Sequence, residues 1–145
     1  ADVLQNRQRL QSYIGARPVF LRQVHGVDVA AITAQTPDGS AADACITTQR
    51  GVACTIMVAD CLPLLFTDRA GSFVAAAHAG WRGLLGQGGA GVVEATYASF
   101  KALAQKNIAG VATKNIANRS LTHFIINTFG RSYSKSPLAA NLRYP

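Results

Sequence analysis

Three consecutive runs constrain the fold more than any other feature of the chain: "GVACTIMVA" (51–59), "CLPLLFTD" (61–68) and "GSFVAAAHA" (71–79). Each is short, rich in apolar residues, and apolar at both odd and even positions. A strand of that kind is buried on both faces, so its sheet must be covered on both sides. The sequence supplies a cover. Val92, Val93, Thr96, Tyr97, Phe100, Leu103 and Ala104 recur at helical intervals and predict an amphipathic helix. A second, shorter helix is predicted over 1–13, "ADVLQNRQRLQSY", with Val3, Leu4, Leu10 and Tyr13 near helical spacing. Strands with packed helices make the fold class α/β or α+β.

Around this centre the chain is punctuated by turn residues. Pro18 opens "VFLRQVHGVDVAAIT", which Gly26 splits into two strands, read as a hairpin or bent strand. "QTPDGSAAD" (35–43) is a turn-rich loop, "CITT" another short strand, and "LTHFIINTF" (121–129) a candidate last strand. The tail repeats "KNIA" at 106–109 and 114–117, too briefly for a solenoid. At 145 residues the chain is expected to be one domain.

The net charge of +7 is concentrated. Residues 1–100 carry seven basic and seven acidic side chains, whereas 101–145 carry seven basic ones and no acid. The tail's cations are widely spaced, which argues against a nucleic-acid footprint. No apolar stretch is long enough to span a bilayer and no signal-peptide pattern opens the chain. Cys45, Cys54 and Cys61 form an odd set without a CxxC pair, so a reducing, cytoplasmic setting is expected.

Three side chains stand where strands end or turn: His25 in "RQVHGVDV", Cys61 in "ADCLP" and His78 in "AHAGWRG". Two imidazoles and a thiolate with one open position suit catalytic Zn²⁺, and equally suit copper. Their separations, 36 and 17 residues, match no compact metal motif. The same residues also allow a thiol hydrolase in which His78 activates Cys61, or two packed histidines beside an inert thiol. "GQGGAG" (86–91) fits G-x-G-x-x-G, but no acid follows Glu94 to hold a ribose, which argues against a dinucleotide site. Arg22 and Arg82 are candidates for pairing with phosphate, and Trp81 for stacking on a planar substrate or filling the core. Cys45, Cys54 and His123 read as packing residues. "NRS" at Asn118 is a glycosylation sequon with no secretory signal to give it meaning.

"RQVHG", "DACITT", "VADCLPLLF" and "AAAHAGWRGLL" together resemble the YfiH-type laccase-domain family, also described as multicopper polyphenol oxidase-like or purine nucleoside phosphorylase proteins. The resemblance runs from about Val3 to Phe100. It implies a mixed-sheet sandwich with helices packed on the sheet, and His25, Cys61 and His78 as metal ligands. It also implies purine nucleosides and phosphate as substrates. The implied activities are phosphorolysis of adenosine, inosine and methylthioadenosine, and deamination of adenosine. The family is longer than this chain, so the sequence reads as an apparently truncated member whose basic tail from about Lys101 does not share the resemblance.

Within that implication Arg82 or Arg22 would hold phosphate by bidentate pairing. Asp60, or alternatively Asp43, would move the proton that deamination needs. The cofactor expectation is zinc, with copper as the alternative. A copper-dependent polyphenol oxidase is the second functional reading, weakened because three histidines cannot ligate a blue centre and a trinuclear cluster. A thiol hydrolase or an inactive fragment comes next. No membrane partner is expected, and a homo-oligomer is an open expectation because so apolar a chain has surface to cover.

Overall fold

A computed structural model describes residues 2–86, 88–110 and 124–128, with side chains through residue 105. In chain order the elements are α1 (Asp2–Ile14), β1 (Arg17–Phe20), β2 (Val29–Ala31), β3 (Ala44–Thr47) and β4 (Val52–Val58). They continue with β5 (Leu62–Thr67), β6 (Val74–Ala79), α2 (Trp81–Leu85), α3 (Val92–Gly110) and β7 (Phe124–Thr128). His123, Asn118 and the second "KNIA" lie outside the described residues.

Two sheets form. One has the order β1-β4-β7 and is parallel throughout. The other has the order β2-β3-β6-β5, with β2 parallel to β3 and the remaining pairs antiparallel. The sheets face each other across a core of Val19, Leu21, Ile32, Val52, Cys54, Ile56, Val74 and Ala76. Helix α3 covers the outer face of the second sheet. Val92 packs with Ala77 and Ala79, while Phe100, Leu103 and Ala104 pack against Ile46, Phe73 and Ala75. Helix α1 covers the first sheet through Leu10 and Ile14 on Ala16 and Ala53. The order is helix, sheet, sheet, helix, and it explains the two-faced apolar runs. Strand β6 is buried at all six positions because one face meets the opposing sheet and the other meets α3. The run of alanines in β6 sets how closely α3 can approach. Phe100 then fills the wider end, its ring centroid 4.2 Å from that of Phe73, a contact that adds about 0.5–1.5 kcal/mol beyond burial.

Two expectations need correcting. Residues 17–33 are not a hairpin: β1 and β2 belong to different sheets. The chain crosses between the sheets at 21–28, and side-chain contacts rather than a ladder hold that crossing, as shown below. Helix α1 forms as predicted, but its apolar residues do not act together. Leu10 and Ile14 dock, while Val3, Leu4 and Tyr13 are exposed.

"LTHFIINTF" contributes β7, which lies parallel to β4 with Cys54 opposite Phe124. Pro63 is tolerated in β5 because β5 is the edge of its sheet among the described residues. The glycines of "GQGGAG" serve a tight connection between helices. At the start of α3 the Glu94 carboxylate accepts the Gly91 N–H at 2.9 Å, the acidic half of a capping box.

Candidate metal centre

Strand register assembles most of the site. Ala44 pairs antiparallel with Ala77, so Asp43, one residue earlier, lies beside His78, and the His78 N–H donates to the Asp43 carbonyl at 2.7 Å. On the other side of β6, Leu62 pairs with Ala79, which puts Cys61 opposite Gly80. The 17-residue gap between Cys61 and His78 is therefore a β-hairpin folded back at the Asp68–Ser72 turn. In that turn the Asp68 carboxylate accepts the Ser72 N–H at 2.7 Å.

His25 arrives differently. It lies in the crossing between the sheets with φ +61°, a left-handed conformation that non-glycine residues seldom adopt. Strain of this kind costs about 1–3 kcal/mol and persists only where the surroundings enforce it. Here the enforcing group is Asp43, which is fully buried. Its Oδ2 accepts the Val24 N–H at 3.0 Å and the Gly26 N–H at 2.8 Å. Its Oδ1 accepts the His25 N–H at 2.8 Å. The same Oδ1 lies 2.8 Å from His78 Nδ1. A carboxylate can only accept, so His78 carries its proton on Nδ1 and leaves Nε2 as a free lone pair. Burial by itself pushes the Asp43 carboxyl upward. The His78 hydrogen bond and the three amides outweigh it and hold the group below the usual carboxylate value.

The result is a convergent trio. One ligand atom from each of His25, Cys61 and His78 lies within 4.8 Å of the others. Cys61 Sγ is 3.7 Å from His25 Nε2, and the two imidazoles meet edge to face with centroids 4.7 Å apart. His78 is buried, Cys61 half-buried and His25 exposed, so the trio opens on one side. It lies along an open cleft of about 790 Å³.

Arg22 and Asp60 line the same cleft and are exposed. The Arg22 guanidinium has no hydrogen-bond or ion-pair partner among the described residues. Arg82 is elsewhere. It is exposed on α2 with its guanidinium 5.0 Å from the Trp81 ring centroid, and neither residue lines the cleft. Asp43 cannot move a substrate's proton, because both oxygens are buried and each already accepts two hydrogen bonds. Cys45 and Cys54 pack in the core as expected. Hydrogen bonding with Cys45 and then burial push the Cys54 thiol well above its ordinary value, which keeps it inert.

Three contributors escaped sequence reasoning. Gly80 is one: a Cβ there would stand 2.8 Å from His25 Cδ2 and 3.0 Å from Cys61 Sγ, so only glycine leaves the ligands room. Gln23 is the second. Its amide exchanges two hydrogen bonds with the Met57 backbone, at 2.7 and 2.8 Å, tying the His25 crossing to β4. The third is Arg7 of α1, half-buried and facing the cleft. A glycine two residues after a histidine near a strand end was the one available signal for the first; the other two depend on tertiary contacts with no local signature.

The donor set fits a metal ion. It offers two imidazole nitrogens and one thiol sulfur at mutual spacing compatible with one centre, an open side for a fourth ligand, and a carboxylate behind one histidine. The missing Cβ of Gly80 keeps that space clear.

Comparison with known proteins identifies the family. Over 98 residues the chain is 55% identical to a purine nucleoside phosphorylase of Pseudomonas aeruginosa, covering 68% of this chain and 38% of that protein. Over 100 residues it is 48% identical to the purine nucleoside phosphorylase YfiH of Escherichia coli, covering 68% and 40%. The chain thus spans roughly two fifths of the length of the relatives it matches. Among solved structures, a Neisseria meningitidis protein of the DUF152 family superposes with a TM-score of 0.58 at 46% identity, covering 68% of this chain and 39% of that one. The Bacillus licheniformis protein YfiH superposes at 0.54 with 21% identity over 72% and 42%, a likeness of fold. The family profile described as multi-copper polyphenol oxidoreductase laccase matches residues 1–120, and on that match, with the fold to support it, the chain belongs to this laccase-domain family.

Proposed function

We propose that the chain carries the metal-binding part of a purine nucleoside phosphorylase, with His25, Cys61 and His78 as ligands. The observation that carries this reading is the convergence of the three ligand atoms within 4.8 Å, with Asp43 fixing His78 from behind. The activity for which the relatives are named supports the substrate class. A zinc ion bound there, or copper as the alternative, supplies a Lewis-acidic positive centre at the cleft wall. In phosphorolysis a phosphate oxygen bonds to C1′ of the ribose while the bond from C1′ to the purine nitrogen breaks. The bonding pair leaves with the purine, which takes up a proton. Arg22, the uncompensated cation of the cleft, holds the phosphate by paired hydrogen bonds. Asp60, exposed in the same cleft, is placed to shuttle the proton that adenosine deamination needs.

The proposed setting is the cytoplasm, supported by three cysteines that are all free. No helix among the described residues is long and apolar enough to cross a membrane. Exposed Leu62, Trp81 and Leu85 support self-association.

The family description favours a second reading, a copper-dependent polyphenol oxidase. Three histidines in the whole chain leave that reading with one copper site at most from a single chain.

Elemental analysis of the purified protein beside Cys61→Ser, with no metal added, tests the ligand set. Near-stoichiometric zinc is expected, falling sharply in the variant, and copper in its place would favour the oxidase. No metal in either protein overturns the metalloenzyme reading. It leaves a thiol hydrolase built on Cys61, His78 and Asp43. For the phosphate role, Arg22→Ala is expected to raise the phosphate KM about ten- to a hundredfold, the size of a lost charge-assisted hydrogen bond. An unchanged phosphate KM removes Arg22 from that role.

A further inference from the structure

The cleft holds two arginines in different states. Arg22 has an uncompensated charge. Arg7 is already engaged twice. Its guanidinium carbon lies 4.0 Å from the centroid of the Phe20 ring, and its Nη1 is 3.4 Å from Asp38 Oδ2. Asp38 is itself held, since its Oδ1 accepts the Phe20 N–H at 3.1 Å and lies 4.0 Å from Arg17. Phe20 is only 2% exposed, so the Arg7 guanidinium lies over a buried ring and beside a held carboxylate. Arg7 also lines the cleft.

We infer that Arg7 is a binding residue whose guanidinium plane forms the shelf on which a planar heteroaromatic base stacks. This rests on the nucleoside reading and names the residue that would recognise the base. A guanidinium stacks on aromatic faces as readily as it pairs with anions. Arg7 shares the Asp38 carboxylate with Arg17, so its donor edge is partly engaged, which favours use of its flat face. The other guanidinium of the cleft, that of Arg22, has no ring or carboxylate among the described residues to hold its plane. Among the described lining residues Phe20 is covered by Arg7, both histidines belong to the metal trio, and there is no further aromatic side chain. Because Phe20 and Asp38 hold the plane before a ligand arrives, little ordering entropy remains to be lost on binding.

The test is equilibrium binding of inosine, ribose and inorganic phosphate, each alone, to the zinc-loaded full chain by calorimetry. Wild type is compared with Arg7→Lys, Arg7→Ala and Leu10→Ala. Lysine keeps the charge and loses the plane. Leu10→Ala loosens α1 on Ala16 and Ala53 without touching the cleft. The shelf predicts that inosine Kd rises about tenfold or more in both Arg7 variants, the range of base-stacking losses, while ribose and phosphate Kd stay unchanged. Leu10→Ala is expected to lower Tm and leave inosine binding intact. Unchanged inosine affinity in Arg7→Lys overturns the shelf, as does a parallel rise in phosphate Kd, which would make Arg7 an anion ligand. A loss in Leu10→Ala equal to that in Arg7→Ala also overturns it, by reducing Arg7 to an anchor for α1. Wild-type protein that takes up zinc yet binds no inosine fails one step earlier. It overturns the nucleoside reading itself, and the shelf with it.

Discussion

Asp43→Asn is expected to destabilise the protein by about 2–5 kcal/mol and to weaken metal binding about ten- to a hundredfold. The change is isosteric, so packing is not the cause. Each oxygen of Asp43 accepts two hydrogen bonds: Oδ1 from the His25 amide and His78 Nδ1, Oδ2 from the Val24 and Gly26 amides. Asparagine has one accepting oxygen and one donating nitrogen. Whichever way the amide flips, its NH₂ faces two donors, and each buried donor left without an acceptor costs about 1–3 kcal/mol. If the NH₂ faces His78, the imidazole can satisfy it only by moving its proton to Nε2, where a metal would bind. If it faces Val24 and Gly26, the grip that holds His25 at φ +61° is lost. Either flip removes a ligand. Chemical denaturation of the apo protein reads the first effect, and competition with a chromogenic chelator reads the second. A variant that is destabilised but keeps wild-type metal affinity would show that Asp43 secures the fold without orienting the ligands.

The sandwich was legible for a simple reason. Strands β4 and β6 are apolar on both faces, and only a sheet covered on both sides accommodates that. The cover was equally plain in α3, where Phe100, Leu103 and Ala104 fall on one helical stripe. The β1–β2 crossing was not legible. Alternating apolar residues on either side of Gly26 look like a hairpin whether or not the two strands pair. The strands pair instead with β4 and β3, and the carboxylate that holds the crossing between them, Asp43, stands 17 residues after Gly26, just before β3. Helix α1 shows a similar limit, because Leu4 and Leu10 have the same character in sequence and only one meets a neighbour.

The site was partly legible for a different reason. Cys61 and His78 stand at the ends of adjacent strands, and a hairpin register brings such positions together however long the gap. His25 was singled out only as a histidine beside a glycine where a strand turns, which by itself does not separate a ligand from a packed histidine. The arginines were the least legible. Arg82 sits beside the "HAGW" motif in sequence, yet α2 carries it away from the cleft, while Arg7, far off in the first helix, faces into it. Proximity in sequence to a motif is a poor guide to cleft membership when a helix turn separates the two.

Gly80→Ala should weaken metal binding by crowding two ligands at once. The Gly80 backbone, at φ −75° and ψ 160°, is one that alanine adopts freely, so no strain arises from the main chain. The obstacle is space. The new methyl carbon would stand 2.8 Å from His25 Cδ2 and 3.0 Å from Cys61 Sγ, inside van der Waals contact with both ligands at once. Gly80 is buried between β6 and α2, and cannot easily yield. The two exposed-side ligands must yield instead, His25 by turning its ring and Cys61 by changing rotamer. Overpacking of this kind costs about 1–3 kcal/mol of stability. A metal centre tolerates only about 0.2 Å of error in its ligand distances, so displacing two of three ligands should lower affinity at least as far as losing an orienting partner does, about tenfold to a hundredfold. Metal competition and thermal unfolding on one preparation check both figures. The expected signature is a large loss of metal affinity beside a modest loss of Tm. The reverse pattern, with affinity kept and stability lost, would mean that the methyl is accommodated toward α2 and that the space beside His25 and Cys61 is not reserved for an ion.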